Sequence, residues 1–341
     1  MARLNDYNDY DRYDLYEDRF DPILNDRQAR RKRKPKAQHK PKKAQSTLVM
    51  EVADSDNALE QGWQTTYQPS RFESGWLLES LQGFFQQEQI TDVLAVVKGG
   101  KEASVYTCEA HPNTGFELLA AKVYRPHIHR QFRNDAAYRE GRDVLTEEGR
   151  SIKKTDHRIM RALGKKSAFG REVSHTSWLM YEFTTLQKLY QLGASVPMPV
   201  SASANAILME YIGEEGLPAP TLSAVTLEPG EAPRLFDRLM RDLELMLSHG
   251  WVHGDLSAYN VLYWQGAAVL IDFPQVVNIE GNSQGRNILE RDLERLCAYF
   301  ATQGLERDSR RIARDLWQRY RAVDLQAIAA DQSRWEIEDE D

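Results

Sequence analysis

The stretch HGDLSAYNVLYWQGAAVLIDFPQ, His253 to Gln275, constrains this chain more than any other. Two apolar runs, VLYW and AAVLI, flank Gln265-Gly266, the pattern of a two-residue β-hairpin turn. Pairing Trp264 with Ala267 and counting back sets Asn260 opposite Ile271. Asn260 and Asp272 then leave the open end of the hairpin side by side, and Asp255 lies on the loop leading in. An amide oxygen and a carboxylate at one point are hard ligands suited to Mg²⁺, which keeps several waters and takes its remaining ligands from phosphate. Asp255 is left free to orient a nucleophile or accept its proton. The alternative, three polar residues that merely cap strand ends, weakens once the segment upstream is read.

That segment is ITDVLAVVKGGKEASVYTCEA followed by FELLAAKVYR. It reads as two strands joined by a glycine turn at Gly99-Gly100, then a third strand that carries Lys122 among apolar residues. Glycines let backbone N–H groups approach phosphate oxygens, and a lysine one strand away neutralises them. It is not a Walker A loop, because Glu102 follows Gly100-Lys101 where Ser or Thr is required. Lid and metal site together point to phosphoryl transfer.

The remaining sequence bounds the setting. Hydrophobic residues make up 41% of the 341, enough for one large or two moderate domains. The two cysteines, Cys108 and Cys297, form no disulfide framework, so a reducing cytoplasmic compartment is expected. There is no apolar run long enough for a membrane span and no apolar core of a signal peptide at the N-terminus. Residues 1–43 hold 13 Lys/Arg and 8 Asp/Glu, whereas the rest of the chain has 31 against 43. The first 45 residues join a Tyr/Asp-rich block to a cationic block from Arg27 to Lys43, and neither buries enough apolar surface to order itself. We read 1–45 as a disordered tail. It is a solubiliser, an electrostatic arm for RNA or ribosomal particles, or a localisation signal.

Order is expected to begin near Phe72. FESGWLLESLQGFFQQ spaces Trp76, Leu77, Leu81, Phe84 and Phe85 as an amphipathic helix. WLMYEFTTLQKLY sets Leu179, Phe183, Leu186 and Tyr190 on one helical face with Glu182 at its edge, within reach of a lysine. From Arg150 to Arg171 there are eight Lys/Arg and one acid, either a flap facing substrate or RNA, or a solvated helix.

GKEASVY (100–106), AAKVYR (120–125), HGDLSAYNVLY (253–263) and LIDFPQ (270–275) together resemble the RIO family of atypical protein kinases. The resemblance runs from about Val93 to Ala301. It takes in SWLMYEFTTLQKLYQLGASVPMPV, similar to the family's helix C and P-x-P segment, and AILMEYIGEEGLPAP, similar to its hinge. It implies an α+β, two-lobed protein-kinase-like fold, with a small β-rich N-lobe over 93–208 and a mainly helical C-lobe over 209–330. The N-lobe would include a basic flap at 127–175, preceded by an extension at 46–92, and an acidic tail would occupy 331–341. The resemblance implies that Gly100, Lys101, Glu102, Ala103 and Ser104 cover the phosphates of ATP, and that Lys122 contacts them and pairs with Glu182. Met209, Glu210, Tyr211 and Ile212 would read the adenine. Asp255 would be the catalytic aspartate, and Asn260 and Asp272 the Mg²⁺ ligands, with Asp272 also the acceptor of a phospho-aspartate. His253 would be structural.

Lys98 stands where one branch of the family has Ser or Thr, and the glycine loop resembles that branch while IDFPQ resembles the other. Branch-level substrates are therefore not carried over. The segment before Val93 is too short for the second branch's winged helix. No activation loop or peptide platform follows Asp272, in keeping with the family's compact form and its link to ribosome assembly. Two other classes share part of the pattern. Small-molecule kinases of the aminoglycoside and choline type share HGDL…N and ID, and an ATP-binding scaffold without catalysis would not need both metal ligands.

Overall fold

A computed structural model describes residues 63, 65–100, 103–125, 144–146, 149–152, 156–165, 167–279 and 282–320, all within the unit Asp56–Asp341. The expected tails at 1–45 and 331–341 lie outside the described residues, as does most of the segment between Arg125 and Val144.

Helix α1, Arg71–Gln86, opens with a capping box in which Ser70 and Glu73 satisfy each other's end of the backbone. Leu77, Leu81 and Phe84 recur one to two turns apart and are buried on the sheet below. Phe85 falls outside that stripe; it is half exposed and stacks on Trp63 at 4.6 Å. Glu73 has a second task, since Tyr67 donates to its Oε2 at 3.1 Å and the buried Tyr106 donates to its Oε1.

The sheet contains β1 (Ile90–Gly99), β2 (Ala103–Ala110), β3 (Leu118–Tyr124), β4 (Pro199–Ala202) and β5 (Ala206–Glu210) in the order β1-β2-β3-β5-β4, every neighbouring pair antiparallel. Alternation along β3 decides what each face carries. Leu119, Ala121 and Val123 join the core beneath α1, whereas Tyr124 packs on the opposite face against Leu179, Met180 and Phe183. Lys122, two residues from Tyr124, shares that second face.

The helix covering it is α3, Ala168–Gln191, capped by Ser167, which accepts from Gly170 N. Ahead of it, α2 (His157–Gly164) has no buried residue. A Cβ at Gly170 would come within 2.1 Å of Ala162 O, so the α2–α3 approach requires glycine. Tyr190 departs from expectation. It is exposed, because near its C-terminal end α3 leaves the sheet and gives Leu186 and Leu189 to the C-terminal core instead.

That second core gathers α4 (Glu231–Ser248), α5 (Gly285–Thr302) and a helical stretch over 309–320. Two short hairpins complete this half, β6 (Gly213–Glu214) with β7 (Leu217–Pro218), and the predicted one, whose Val261, Ala268 and Leu270 are buried in the same core. In the latter β9 (Val261–Trp264) pairs with β10 (Ala267–Leu270), Trp264 opposite Ala267. Gln265 and Gly266 both take positive φ, 49° and 79°, as a type I′ turn demands. β8 (Trp251–Val252) pairs with β11 (Val277–Asn278) and closes the loop on either side of the hairpin. Only residues 273–284 separate Asp272 from α5. The architecture is α+β and two-lobed, as expected. Among the described residues no helix is long and apolar enough to cross a membrane.

Candidate active site

Lys122 enters from the centre of β3, between Val105 and Ile207. Its Nζ lies 2.6 Å from Glu182 Oε1 and 2.5 Å from Asp272 Oδ1. Glu182, only 3% exposed, also accepts from the Tyr124 hydroxyl. Three segments far apart in sequence therefore converge on one ammonium. Burial alone favours a neutral amine at Lys122, but the Asp272 and Glu182 charges outweigh it and hold the group well above the usual lysine range. Burial dominates at Glu182 and raises its carboxyl despite the lysine. At Asp272 burial is overcome by the charge of Lys122 and its hydrogen bond, and the carboxyl is held below the ordinary range.

Asp272 is the one member of this group that opens to the cleft, its side chain 37% exposed. Its backbone is left-handed, φ 72°, a conformation that costs a non-glycine residue roughly 1–2 kcal/mol. Such strain persists only where the surroundings impose it. Here they do, because Ile271 N is tied to Asn260 O at 3.0 Å and Lys122 holds the carboxylate.

The loop from His253 to Asn260 is fixed from several sides. His253 is fully buried; its Nε2 is 3.2 Å from Ile271 O, and its Nδ1 accepts from Asp255 N at 3.4 Å. This is the structural role expected. Gly254, at φ +85°, sits so close to the following segment that a Cβ would lie 2.1 Å from Gln275 O. Its N–H donates to Asp292 Oδ2 at 2.8 Å, and its carbonyl accepts from Arg291. Asn260 Nδ2 donates to the Asp255 carbonyl at 2.8 Å and to Asp255 Oδ2 at 3.1 Å. With the amide nitrogen spent on Asp255, its Oδ1 is the atom left to meet a cation.

The Asp255 carboxylate has a partner that the expectation did not include: Oδ1 accepts from Arg295 Nη1 at 2.8 Å, with both side chains buried. The sequence reading had not singled out Arg291, Asp292 or Arg295. The available signal was a charged residue in the apolar phase of a helix, since Asp292 lies four residues after the buried Ile288 and four before the buried Leu296.

The phosphate loop is described only in part. Gly100 follows β1, and a Cβ there would lie 2.4 Å from Ala103 O. Lys101 and Glu102 lie outside the described residues. Ala103 and Ser104 belong to β2 rather than to the loop; Gly99 pairs with Ser104, which is almost wholly buried. At the expected hinge, Met209 and Glu210 end β5, with Tyr211 and Ile212 beyond. Glu210 is strapped to Met198, whose N–H donates to its Oε2 at 3.0 Å and whose carbonyl accepts from Glu210 N at 2.8 Å. The Ile212 carbonyl accepts from Ala219 N at 3.0 Å, which ties the segment to the residues after β7.

The donors suit Mg²⁺. Asn260 Oδ1 and the Asp272 carboxylate are hard oxygens, and among the described residues no group of three or more His, Cys, Asp or Glu is placed to hold a metal by itself. A site of this kind fills its coordination with water and phosphate.

Two curated relatives place the chain in context. It is 29% identical over 228 residues to the serine/threonine-protein kinase RIO1 of Chaetomium thermophilum, covering 64% of this chain and 41% of that protein. It is also 29% identical over 215 residues to the RIO-type serine/threonine-protein kinase Rio1 of Haloferax volcanii, covering 62% and 64%. The chain thus spans less than two thirds of either relative. Among solved structures it matches the Rio2 kinase–ADP/Mg²⁺–phosphoaspartate complex from Chaetomium thermophilum at 17% identity and a TM-score of 0.48, over 79% of this chain and 75% of that one. The model of the RIO domain matches residues 104–312, more than half of the sequence, from the second strand of the sheet to beyond α5, and the chain belongs to the RIO family.

Proposed function

We propose that this protein catalyses ATP- and Mg²⁺-dependent phosphoryl transfer of the RIO type, as a serine/threonine kinase, an ATPase or both. The observation that carries the reading is the meeting of Lys122, Glu182 and Asp272 at one point, with Asp255 and Asn260 joined on the adjoining loop. Phosphoryl transfer asks a protein mainly for positioning and for charge to offset the phosphates. Lys122, kept charged and aimed by Glu182, supplies the positive charge. Asn260 and Asp272 would hold Mg²⁺, which neutralises phosphate oxygens when bound. Asp255 orients the attacking group. Gly100 through Ser104 would cover the phosphates, and Met209 to Ile212 would receive the adenine.

The half-open Asp272 carboxylate also suits a direct acceptor. Its attack on the γ-phosphorus would form an acyl phosphate and release ADP, and water or a hydroxyl would then take the phosphoryl group from it. The names of the curated relatives support the kinase reading. A link to ribosome assembly rests on the cationic run Arg27–Lys43 and on α2, where the exposed Arg158, Arg161 and Lys165 recur within one helical face while Asp156 is spent on capping. A cytoplasmic, reducing setting fits two free, buried thiols, Cys108 and Cys297.

Incubation with γ-labelled ATP and Mg²⁺, followed by hydroxylamine, tests the reading. Label released by hydroxylamine marks an aspartyl phosphate, and resistant label marks phosphoserine or phosphothreonine. The absence of both label and ADP formation would overturn it.

A further inference from the structure

The contacts that fix Asp255 are of two kinds. Its N–H donates to His253 Nδ1 at 3.4 Å and its carbonyl accepts from Asn260 Nδ2 at 2.8 Å, which fixes the main chain. Its carboxylate bridges two side chains, with Oδ2 on Asn260 Nδ2 at 3.1 Å and Oδ1 on Arg295 Nη1 at 2.8 Å. The neighbouring residues of α5 do something else. Arg291 and Asp292 grip the backbone of Gly254, whereas Arg295, one turn further on, is the residue of α5 that reaches the catalytic carboxylate.

A guanidinium and a carboxylate buried to 5% and 9% exposure are a costly pair to desolvate. A well-packed apolar residue on α5 would serve the C-terminal core at least as well, so packing does not explain an arginine here. What the arginine supplies is direction. With Oδ1 anchored by Arg295, Oδ2 accepts from Asn260 Nδ2, and the amide nitrogen being held there leaves Asn260 Oδ1 as the atom not engaged by Asp255.

We propose that Arg295 is a positioning residue for phosphoryl transfer, setting the Asp255 carboxylate and, through it, the Asn260 amide. This rests on the function proposed above. Arg295 acts through the Asp255 carboxylate that it holds. Its effect is therefore confined to steps that use the Asp255–Asn260 register, and nucleotide binding through Lys122 and the hinge is independent of it.

The test compares wild type with Arg295→Met and Arg295→Lys in Mg²⁺-dependent ADP release, and in fluorescent ATP-analogue binding with and without Mg²⁺. In Arg295→Met, kcat is expected to fall on the order of 10²-fold, the scale of a misplaced catalytic group, with KM for ATP changing less than about threefold. Metal-free analogue binding is expected to match wild type, while the gain in affinity on adding Mg²⁺ shrinks. Arg295→Lys, which keeps a cation but lacks the guanidinium's fixed fork, is expected to recover at least about tenfold of the lost kcat. If Arg295→Met does not fold, Arg295→Gln replaces it, with the same expectation relative to Lys. Folded variants with wild-type kcat and wild-type Mg²⁺ gain overturn the proposal, as does an equal loss in Lys and Met. Wild-type protein that releases no ADP defeats the broader reading instead; the Mg²⁺ gain in binding still decides the role of Arg295.

Discussion

Asp272 Oδ1 lies 2.5 Å from Lys122 Nζ across 150 residues of sequence, and it does so from a left-handed backbone. One ion pair thereby joins the sheet lobe to the end of the C-terminal hairpin. The same ammonium already belongs to Glu182 of α3, so a strand, a helix and a strained turn share a single charge. Under the proposed function, phosphate and Mg²⁺ would compete for these partners.

Asp272→Ala is expected to abolish Mg²⁺-dependent ATP turnover and nearly all label incorporation, because it removes both a proposed metal ligand and the proposed acceptor. Wild-type ADP release by this variant would sink the metal assignment.

Lys122→Ala is expected to lower turnover on the order of 10² or more, about 2.7 kcal/mol of transition-state stabilisation. It also leaves Glu182 buried with the Tyr124 hydroxyl but without its cation. The Glu182 carboxyl, already raised by burial, rises further. A carboxyl raised in the folded state destabilises the fold when ionised, and stability returns as pH falls through the folded value toward about 4.3. Urea midpoints at pH 7.5 and pH 5 should therefore differ from wild type more at the higher pH. A gap that widens on acidification contradicts this.

Gly254→Ala is expected to weaken fold and activity together. The backbone conformation alone costs roughly 1–3 kcal/mol, and the added methyl meets the Gln275 carbonyl. A urea midpoint equal to wild type would mean the loop shifts freely, contrary to its bonds to Asp292 and Arg291.

Burial pushes the Cys297 thiol up to about 11 and the Cys108 thiol higher still. In the unfolded chain both ionise near 8.5. Unfolding therefore releases protons above that pH, and each thiol lowers stability by up to about 1.4 kcal/mol per pH unit from roughly pH 8.5 upward. Replacing both with alanine should flatten that decline. Iodoacetamide should label neither thiol in native protein at pH 8 and both in urea; rapid native labelling would contradict their burial.

Removing residues 1–45 is expected to leave intrinsic ATP turnover unchanged, because no residue of the site lies there. Binding to ribosomal RNA should weaken, and its salt dependence should flatten by about 0.7–0.9 in log–log slope per lost phosphate contact. Superimposable salt series for full-length and shortened protein would leave the tail a solubiliser and move any RNA contact to α2.

Much of this site was legible because it sits on elements with a strict period. The apolar run around Lys122 read as a strand, the helical spacing of Leu179, Phe183 and Leu186 set Glu182 within reach of a lysine, and the Gln265-Gly266 turn fixed Asn260 opposite Ile271. The misses lie where one period serves two purposes. Ser104 reads as loop because it follows glycines, yet the β1–β2 pairing extends to it. Tyr190 keeps the spacing of the α3 stripe, but the helix passes from one core to the other before reaching it. Arg295 reads as surface on any charge scale, and only the loop packed beneath the cleft makes its burial tolerable.

The matched RIO domain begins at Ser104, inside β2. The sheet's lower face is nevertheless roofed by residues that precede it, Leu77, Leu81, Phe84, Ile90 and Val93, and the buried Tyr106 hydroxyl relies on Glu73. Each of those side chains withholds roughly 1.5–3 kcal/mol of apolar surface from water. A fragment trimmed to the matched borders would therefore keep every residue of the nucleotide site from Ser104 onward and still present a bare, aggregation-prone sheet. For recombinant expression, the autonomous unit has to include the residues from Trp63 onward.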